Sequence, residues 1–464
     1  MNNVNIYDVA IIGGGPAGYT AAIKAAERGA SVLIFEKDAL GGTCLNRGCI
    51  PTKTLLKTAQ LLESFKSAEA RGINIDSHIE LSMPKIIKHK DTVVKQLQDG
   101  VAYLLKSNKV QVVRGLAKLQ SETQISCNDG IYQAKNIILC GGSKPAKLSI
   151  AGFEDKRIIT SDEILGLTEI PKRLCIVGGG AIGCEMADIF SSFGSEVTII
   201  ELFDRLIPTM DSDLSESMQG NMENKGVKLI LGAAVDELKR LKTGISVIIG
   251  NDTIDADTAL ISTGRVADLE CLGELRNKIK TENDKIIVDD HMRTSISNIY
   301  APGDINGKLM LAHAAYHMGE VAAINATGGL DKVNLSCVPS SVYTNPEVAS
   351  VGLSEHEAKD IYGADNLLIG KASFKTNGRS LAYDHPVGYV KVIADKKYGE
   401  ILGAHIVGQY ASELIQEAVI LISNEITIHE AVNTIYGHPT FSETFREACL
   451  NVQILSQLRC QLLC

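Results

Sequence analysis

The chain has 464 residues, 45% of them hydrophobic, enough for roughly three domains if a domain runs to ~150 residues. Its 55 acidic and 46 basic residues leave a formal charge of −9 with no basic block, which argues against nucleic acid as a partner and reads as a solvated exterior. No stretch approaches the ~18 apolar residues of a membrane span, and the N-terminus lacks a basic n-region and has only a short apolar run, so no membrane association and no export are expected and the chain is placed in the cytoplasm.

From Asp8 the chain reads DVAIIGGGPAGYTAAIKAAERGASVLIFEKD. This is a β-branched strand, a G-x-G-x-x-G turn at Gly13, Gly15 and Gly18, a helix ending near Gly29, and a second strand closed by Glu36 and Lys37. The pattern is that of a βαβ nucleotide-binding unit. Its first glycine makes the tight turn, its second lets backbone approach a pyrophosphate, and its third lets helix and strand pack closely. The helix N-terminus then offers free N–H groups to phosphate. Glu36 stands where a carboxylate accepts hydrogen bonds from an adenosine ribose. A single turn of this kind also occurs as plain packing.

Next comes GGTCLNRGCIPTK, Gly41 to Lys53, with four residues between Cys44 and Cys49. Three readings are open: metal ligands, a structural staple, or a reversible disulfide. In a reducing compartment paired cysteines are more often catalytic or metal-binding than structural. In a regular helix five steps of ~1.5 Å put the two Cα atoms ~7.5 Å apart along the axis, beyond the ~7 Å limit for a disulfide. A bridge therefore needs a distorted turn, which Gly42 and Gly48 permit, before a helix TKTLLKTAQLLESF begins behind Pro51. Metal binding would need two further soft or imidazole ligands at matching spacing. The other cysteines are scattered, so no metal is expected and a redox disulfide is favoured. Lys53, on position alone, reads as an exposed lysine of a first helical turn.

The run LCIVGGGAIGCEMADIFSSFGSEVTIIELFD, from Leu174, repeats the first unit. Gly178, Gly180 and Gly183 fall on the earlier glycines, with Ala181 and Ile182 inside the turn, and Glu201 falls on Glu36. Two copies at the same distance from an acidic residue leave little room for coincidence. Two dinucleotides are implied, and a chain holding two commonly passes hydride between a flavin and a nicotinamide. Glu201 would repel a 2′-phosphate, which favours NAD over NADP. Further on, ISNIYAPGDI reads as a strand ending in a turn whose Asp304 returns to the first cofactor. From Val338, SVYTNPEVASVGLS and VGYVKVIADKKYGEILGAHIVG suggest an antiparallel sheet with helices. In GHPTFSETF, Thr440 to Glu443 reads as a capping box and His438 as a turn histidine. Beside a dithiol, however, a histidine titrating near neutrality suits proton removal from a substrate thiol, with a carboxylate fixing its tautomer.

The expected fold is α/β: two Rossmann-like βαβ domains and a C-terminal α+β domain, packed as one body. The divisions fall at residues 1–143, completed by 264–337, then 144–263, then 338–464.

GGTCLNRGCIPTK resembles the active-site segment of the FAD-dependent pyridine nucleotide-disulfide oxidoreductases, most closely that of the dihydrolipoamide dehydrogenases. The likeness continues through GGGPAGY, IFEKD, GGGAIGCE, YAPGD, LAHAA, YTNPEVASVG and HPTFSE. It implies that Cys44 is the interchange thiol meeting the substrate and Cys49 the thiol against the flavin, with Lys53 near the flavin and paired with Glu185. It implies that His438 and Glu443 are the base and its orienting partner, reaching the disulfide of the other subunit of a homodimer. The family's FAD contacts fall on Gly42, Thr43, Ala117, Gly142, Ser143 and Asp304, and on Met310, Leu311, Ala312 and the main chain of His313. Its NAD contacts fall on the second glycine turn, Val235 and Gly264. The implied reaction oxidises dihydrolipoamide with NAD⁺, and the implied partner is a lipoylated protein of a 2-oxoacid dehydrogenase complex or the glycine cleavage system.

This sequence departs from the family at Cys140-Gly141, where an Ala-Thr pair is usual, and at Val266-Ala267 after Arg265. Ala181, Gly183 and Glu201 disfavour a glutathione reductase, which has tyrosine, alanine and arginines for NADP there. Mercuric reductases carry a second cysteine pair near the C-terminus, and this chain ends LRCQLLC. Cys460 and Cys464 are nevertheless spaced as helical i, i+4 residues, and that class lacks the HPTFSE base.

Overall fold

A computed structural model describes residues 6–74, 79–148 and 150–462. Strand β1 (Ile6–Ile12), helix α1 (Pro16–Glu27) and strand β2 (Val32–Glu36) form the first βαβ unit, and β2 is buried along its whole length. Helices α2 (Gly42–Arg47), α3 (Cys49–Lys66) and α4 (Met83–Ser107) follow. Then come β3 (Gln111–Arg114), β4 (Ala117–Leu119), β5 (Gln124–Cys127) and β6 (Gly130–Leu139). The sheet order is β3-β2-β1-β6-β5-β4, parallel from β3 to β6 and antiparallel beyond. Ile12 pairs with Phe35 on one side and Leu139 on the other, so the first glycine turn opens at the carboxyl ends of three strands, where α/β sheets bind ligands. The strand read from YAPGD is Ile299–Tyr300, parallel to β6, and it delivers Asp304 to the same edge.

After β7 (Ser143–Pro145), β8 (Ile158–Ile159) and α5 (Ser161–Ile164), the second unit repeats the first with β9 (Arg173–Val177), α6 (Ala181–Ser192) and β10 (Glu196–Ile200). Helix α7 (Ser212–Asn224) leads to strand Lys228–Ile230. With Thr258–Ile261 and β8 these strands make a second, wholly parallel five-stranded sheet. Helix α8 (Ala312–Ala326) packs back on α1.

The C-terminal part is the expected antiparallel sheet with helices. Its strands lie in the order Ser340–Val342, Glu347–Gly352, Ile401–Gly408, Tyr389–Asp395, Leu367–Ser373. Helix Ala411–Ser423 packs on Glu347–Gly352 and Ile401–Gly408, and helix Glu443–Leu462 on Leu367–Ser373 and Tyr389–Asp395. The parts share a core: Leu55, Leu56 and Ala59 of α3 join Met186 and Phe190 of α6 and Val342, Val348 and Val407 of the C-terminal sheet in one buried cluster.

Two local expectations change. The distorted turn between the cysteines is a short helix, α2, broken at Gly48 (φ −144, ψ −113). Helix α3 then begins at Cys49 rather than behind Pro51, because a proline within the first turn gives up only an N–H that has no partner inside the helix. Cys464 and the side chain of Cys460 lie outside the described residues. Among the described residues no helix is long and apolar enough to cross a membrane, and no cluster of His, Cys, Asp and Glu is suited to a metal ion.

Candidate active site

The two glycine turns are built alike. A Cβ at Gly18 would stand 1.8 Å from Gly13 O, and one at Gly183 would stand 2.0 Å from Gly178 O, so only glycine lets each helix start against its strand. The middle glycines face space: around the Cβ position nothing lies within 4 Å of Gly180, and only Gly42 Cα, at 3.6 Å, lies near Gly15. Each cradle thus has room where a pyrophosphate must approach. Gly18 and Gly183 do not face the cavity and act from behind their turns.

Both acidic residues clasp their own turn. Glu36 accepts from Gly14 N at 2.7 Å through Oε2 and from Asp38 N at 2.7 Å through Oε1. Glu201 accepts from Gly179 N through Oε2 and from Phe203 N at 3.0 Å through Oε1. Each carboxylate oxygen has a further lone pair for a ribose hydroxyl. Burial pushes the Glu36 carboxyl up, with the Gly14 N–H and the nearby Arg114 and Lys37 pulling against it.

A single cavity of about 1380 Å³ takes in both cradles, with Gly13, Gly15, Glu36 and Lys37 on one wall and Gly178, Gly180, Ala181, Ile182 and Glu201 on another. Gly42, Thr43, Ala117, Gly142, Ser143 and Asp304 line it too, as do Met310, Leu311, Ala312 and His313, and Val235 and Gly264. Cys44, Cys49 and Lys53 open onto the same space.

Cys44 hangs from α2 and Cys49 heads α3. Both thiols are free, and they hydrogen-bond to each other. The hydrogen bond from Cys44, and then the Lys53 ammonium, work against burial and bring the Cys49 thiol down to about 7. Cys44, the donor of that bond and buried, is pushed far up. The anion of the pair therefore belongs to Cys49.

Lys53 is not the solvent-facing lysine its position suggests. Its Nζ lies 2.9 and 3.1 Å from the two Glu185 oxygens and 4.0 Å from the centre of the Tyr343 ring, while Tyr343 N donates to Glu185 Oε1 at 3.0 Å. Burial alone would lower the Lys53 ammonium, but Glu185 outweighs it and holds it above its ordinary range.

His438 Nδ1 lies 2.8 Å from Glu443 Oε1, and Thr440 N donates to Glu443 Oε2 at 2.8 Å. The capping box is only half made. Thr440 Oγ1 donates to Gly437 O instead of accepting from Glu443 N, and the helix starts at Glu443. The Thr440 N–H first, and then His438, hold the Glu443 carboxyl below its usual range. The His438 side chain is 77% exposed, and neither residue lines the cavity of its own chain.

Arg265 did not emerge as a site residue from the sequence. It lines the cavity, where Nε donates to Ser143 Oγ and Nη2 to Ser143 O, both at 2.8 Å, and Ser143 Oγ in turn donates to Asp304. A charged residue directly after Gly264, at the carboxyl end of a parallel strand, was the available signal. The His313 ring contacts Pro339 O at 2.9 Å, a structural role.

Two nucleotide cradles opening with a dithiol onto one cavity define a nicotinamide-linked disulfide oxidoreductase. Residues 7–319 match the family described as pyridine nucleotide-disulphide oxidoreductase, residues 338–449 match its dimerisation domain, and the chain belongs to this family. FAD and NAD(H) are the family's cofactors, and the paired cradles fit them. The dimerisation domain, which contains His438 and Glu443, makes the protein a homodimer. The chain is 41% identical to a dihydrolipoyl dehydrogenase of Bacillus subtilis over 96% of its length and 98% of the relative's. It is 38% identical to one of Chlamydia muridarum, over 96% of each. The crystal structure of LpdA from Mycobacterium tuberculosis superposes with a TM-score of 0.89 at 28% identity, covering 95% of this chain and 98% of that one.

Proposed function

We propose that this protein oxidises the dihydrolipoyl group of a lipoylated protein, from a 2-oxoacid dehydrogenase complex or the glycine cleavage system, to the cyclic disulfide, with NAD⁺ as acceptor, in the cytoplasm. The observation that carries this reading is the Cys44–Cys49 pair opening, beside Lys53, onto the cavity that both nucleotide cradles share. Relatives named dihydrolipoyl dehydrogenase over nearly the whole chain support it. Residues 1–143 with 264–337 serve FAD, residues 144–263 serve NAD, and residues 338–464 form the dimer interface.

In the oxidised enzyme Cys44 and Cys49 share a disulfide. A substrate thiol gives its proton to His438 Nε2, whose Nδ1–H is fixed by Glu443, the base coming from the opposite subunit. The thiolate attacks Cys44 Sγ, so the Cys44–Cys49 bond breaks and Cys49 leaves as a thiolate opposite the Lys53 ammonium. The second substrate thiol loses its proton to solvent and closes on the first sulfur, releasing Cys44, which takes the proton held by His438. The substrate dithiol has become a disulfide, and the enzyme disulfide has become a Cys44 thiol and a Cys49 thiolate. Gly13, Gly15, Glu36 and Asp304 would hold FAD, which would supply the two-electron link from the reduced cysteine pair to NAD⁺. The Glu185 carboxylate keeps Lys53 protonated and in place, and Glu201 favours NAD by repelling a 2′-phosphate.

A substrate panel on the purified protein tests this reading. Dihydrolipoamide with NAD⁺ is expected to turn over rapidly, and glutathione disulfide or Hg²⁺ with NADPH is not. Turnover confined to either NADPH pair would overturn it.

A further inference from the structure

A second charged tier lies along the same two helices and takes no part in the reaction. One turn beyond Glu185 on α6 stands Asp188, 2% exposed, and further along α3 than Lys53 stands Glu63. Lys225, which ends α7, serves both: its Nζ is 2.8 Å from Glu63 Oε1 and donates to Asp188 Oδ1. The remaining oxygens go to one residue, since Asn345 N donates to Asp188 Oδ2 at 2.8 Å and Asn345 Nδ2 to Glu63 Oε2 at 2.6 Å. Ser192 Oγ adds a bond to Glu63 Oε1 at 2.9 Å.

The chain leaving strand Ser340–Val342 therefore meets α6 on two rungs: Tyr343 N on Glu185 and Asn345 N on Asp188. Residues two apart on an extended segment point the same way, as do residues three apart on a helix. The two elements register only if both rungs are occupied. Burial pushes the Asp188 carboxyl up, and Lys225 opposes it. Two carboxylates around one ammonium, with Asp188 itself buried, are costly as a source of stability and suit a device that fixes geometry.

We propose that Asp188, tied to Lys225 and Glu63, is a positioning residue for the Lys53–Glu185 pair, holding the Tyr343–Asn345 segment where Tyr343 N meets Glu185 and so keeping Lys53 beside Cys49. This rests on the reading of Cys49 as the anionic thiol. Without an acceptor on residue 188 the half-buried Asn345 N–H loses its partner and the segment shifts. Glu185 then loses its second donor, and Lys53 slackens against Cys49. A direct charge effect has the opposite sign, because deleting a nearby negative charge makes a thiol more acidic. The groups facing Cys49 are Cys44, Lys53, Glu185, Arg265, Tyr316 and Tyr343.

The test uses reduced, FAD-loaded enzyme carrying Cys44→Ser, whose hydroxyl still donates to Cys49. Iodoacetamide alkylation of Cys49 is followed against pH by peptide mass spectrometry. The parent midpoint is expected near 7. Asp188→Ala should raise it by about one pH unit, a roughly tenfold loss of thiolate below the midpoint. Asp188→Asn, whose carbonyl still accepts from Asn345 N, should leave it in place. Asp188→Ser replaces the alanine variant if that one does not fold, with the same outcome expected. A midpoint unmoved or lowered by Ala or Ser overturns the inference alone, as does one raised equally by Asn. A parent midpoint at the ordinary ~8.5 overturns the reading of Cys49, and the inference with it.

Discussion

His438 and Glu443 divide one carboxylate between two tasks, since one oxygen accepts from Thr440 N at the start of a helix and the other holds an imidazole. Glu443→Gln keeps an acceptor for one of these N–H groups and loses the charge that stabilises an imidazolium. Dihydrolipoamide oxidation should fall at least about 10²-fold, the scale of a positioned acid–base group. NADH-driven reduction of an artificial acceptor, which needs no thiol proton, should hold; equal losses in both assays would count against the assignment. At this scale the sequence was uneven. GGTCLNRGCIPTK and HPTFSE announced their residues because their chemistry is local. The Lys53–Glu185 pair came through the family resemblance alone, and the Tyr343 ring beside Lys53 and the setting of Arg265 were hidden, because Glu185, Tyr343 and Ser143 reach them across long stretches of chain.

The elements were more legible. The repeat of strand, glycine turn, helix, strand and glutamate is a local pattern, and both copies fold into the same clasp. The helix starts were less so: Gly48 and Thr440 show how one hydrogen bond or one break in φ/ψ moves a boundary by two or three residues. Duplication also lets the two sites be separated by mutation. Gly183→Val places atoms where Gly178 O already stands, so KM for NAD⁺ should rise by at least about tenfold while flavin content is unchanged. Loss of flavin from this variant, measured by absorbance after gel filtration, would mean that the second cradle does not act alone.

At the scale of the whole molecule, the exposed His438 and the cavity that excludes it fit the proposed reading, in which each active site draws on two chains. Cys44→Ser and His438→Gln subunits are each expected to be inactive with the dithiol. Unfolded together and refolded at equal ratio with FAD, they should recover about a quarter of wild-type activity, because half the dimers are hybrids with one complete site. No recovery in a mixture shown to be dimeric would place the base in the same chain as its cysteines. A base acting from the other subunit, as proposed here, follows from the family resemblance and not from composition or periodicity, which describe one chain. The break at Gly48 has a mechanical corollary. Cys49 heads an eighteen-residue helix rooted in the core that all parts share, and Cys44 rides on a helix of six residues. In the proposed reaction, making and parting the sulfur bond is thus asymmetric work: the inner sulfur is a fixed terminal, and the outer one is the swinging contact that visitors meet.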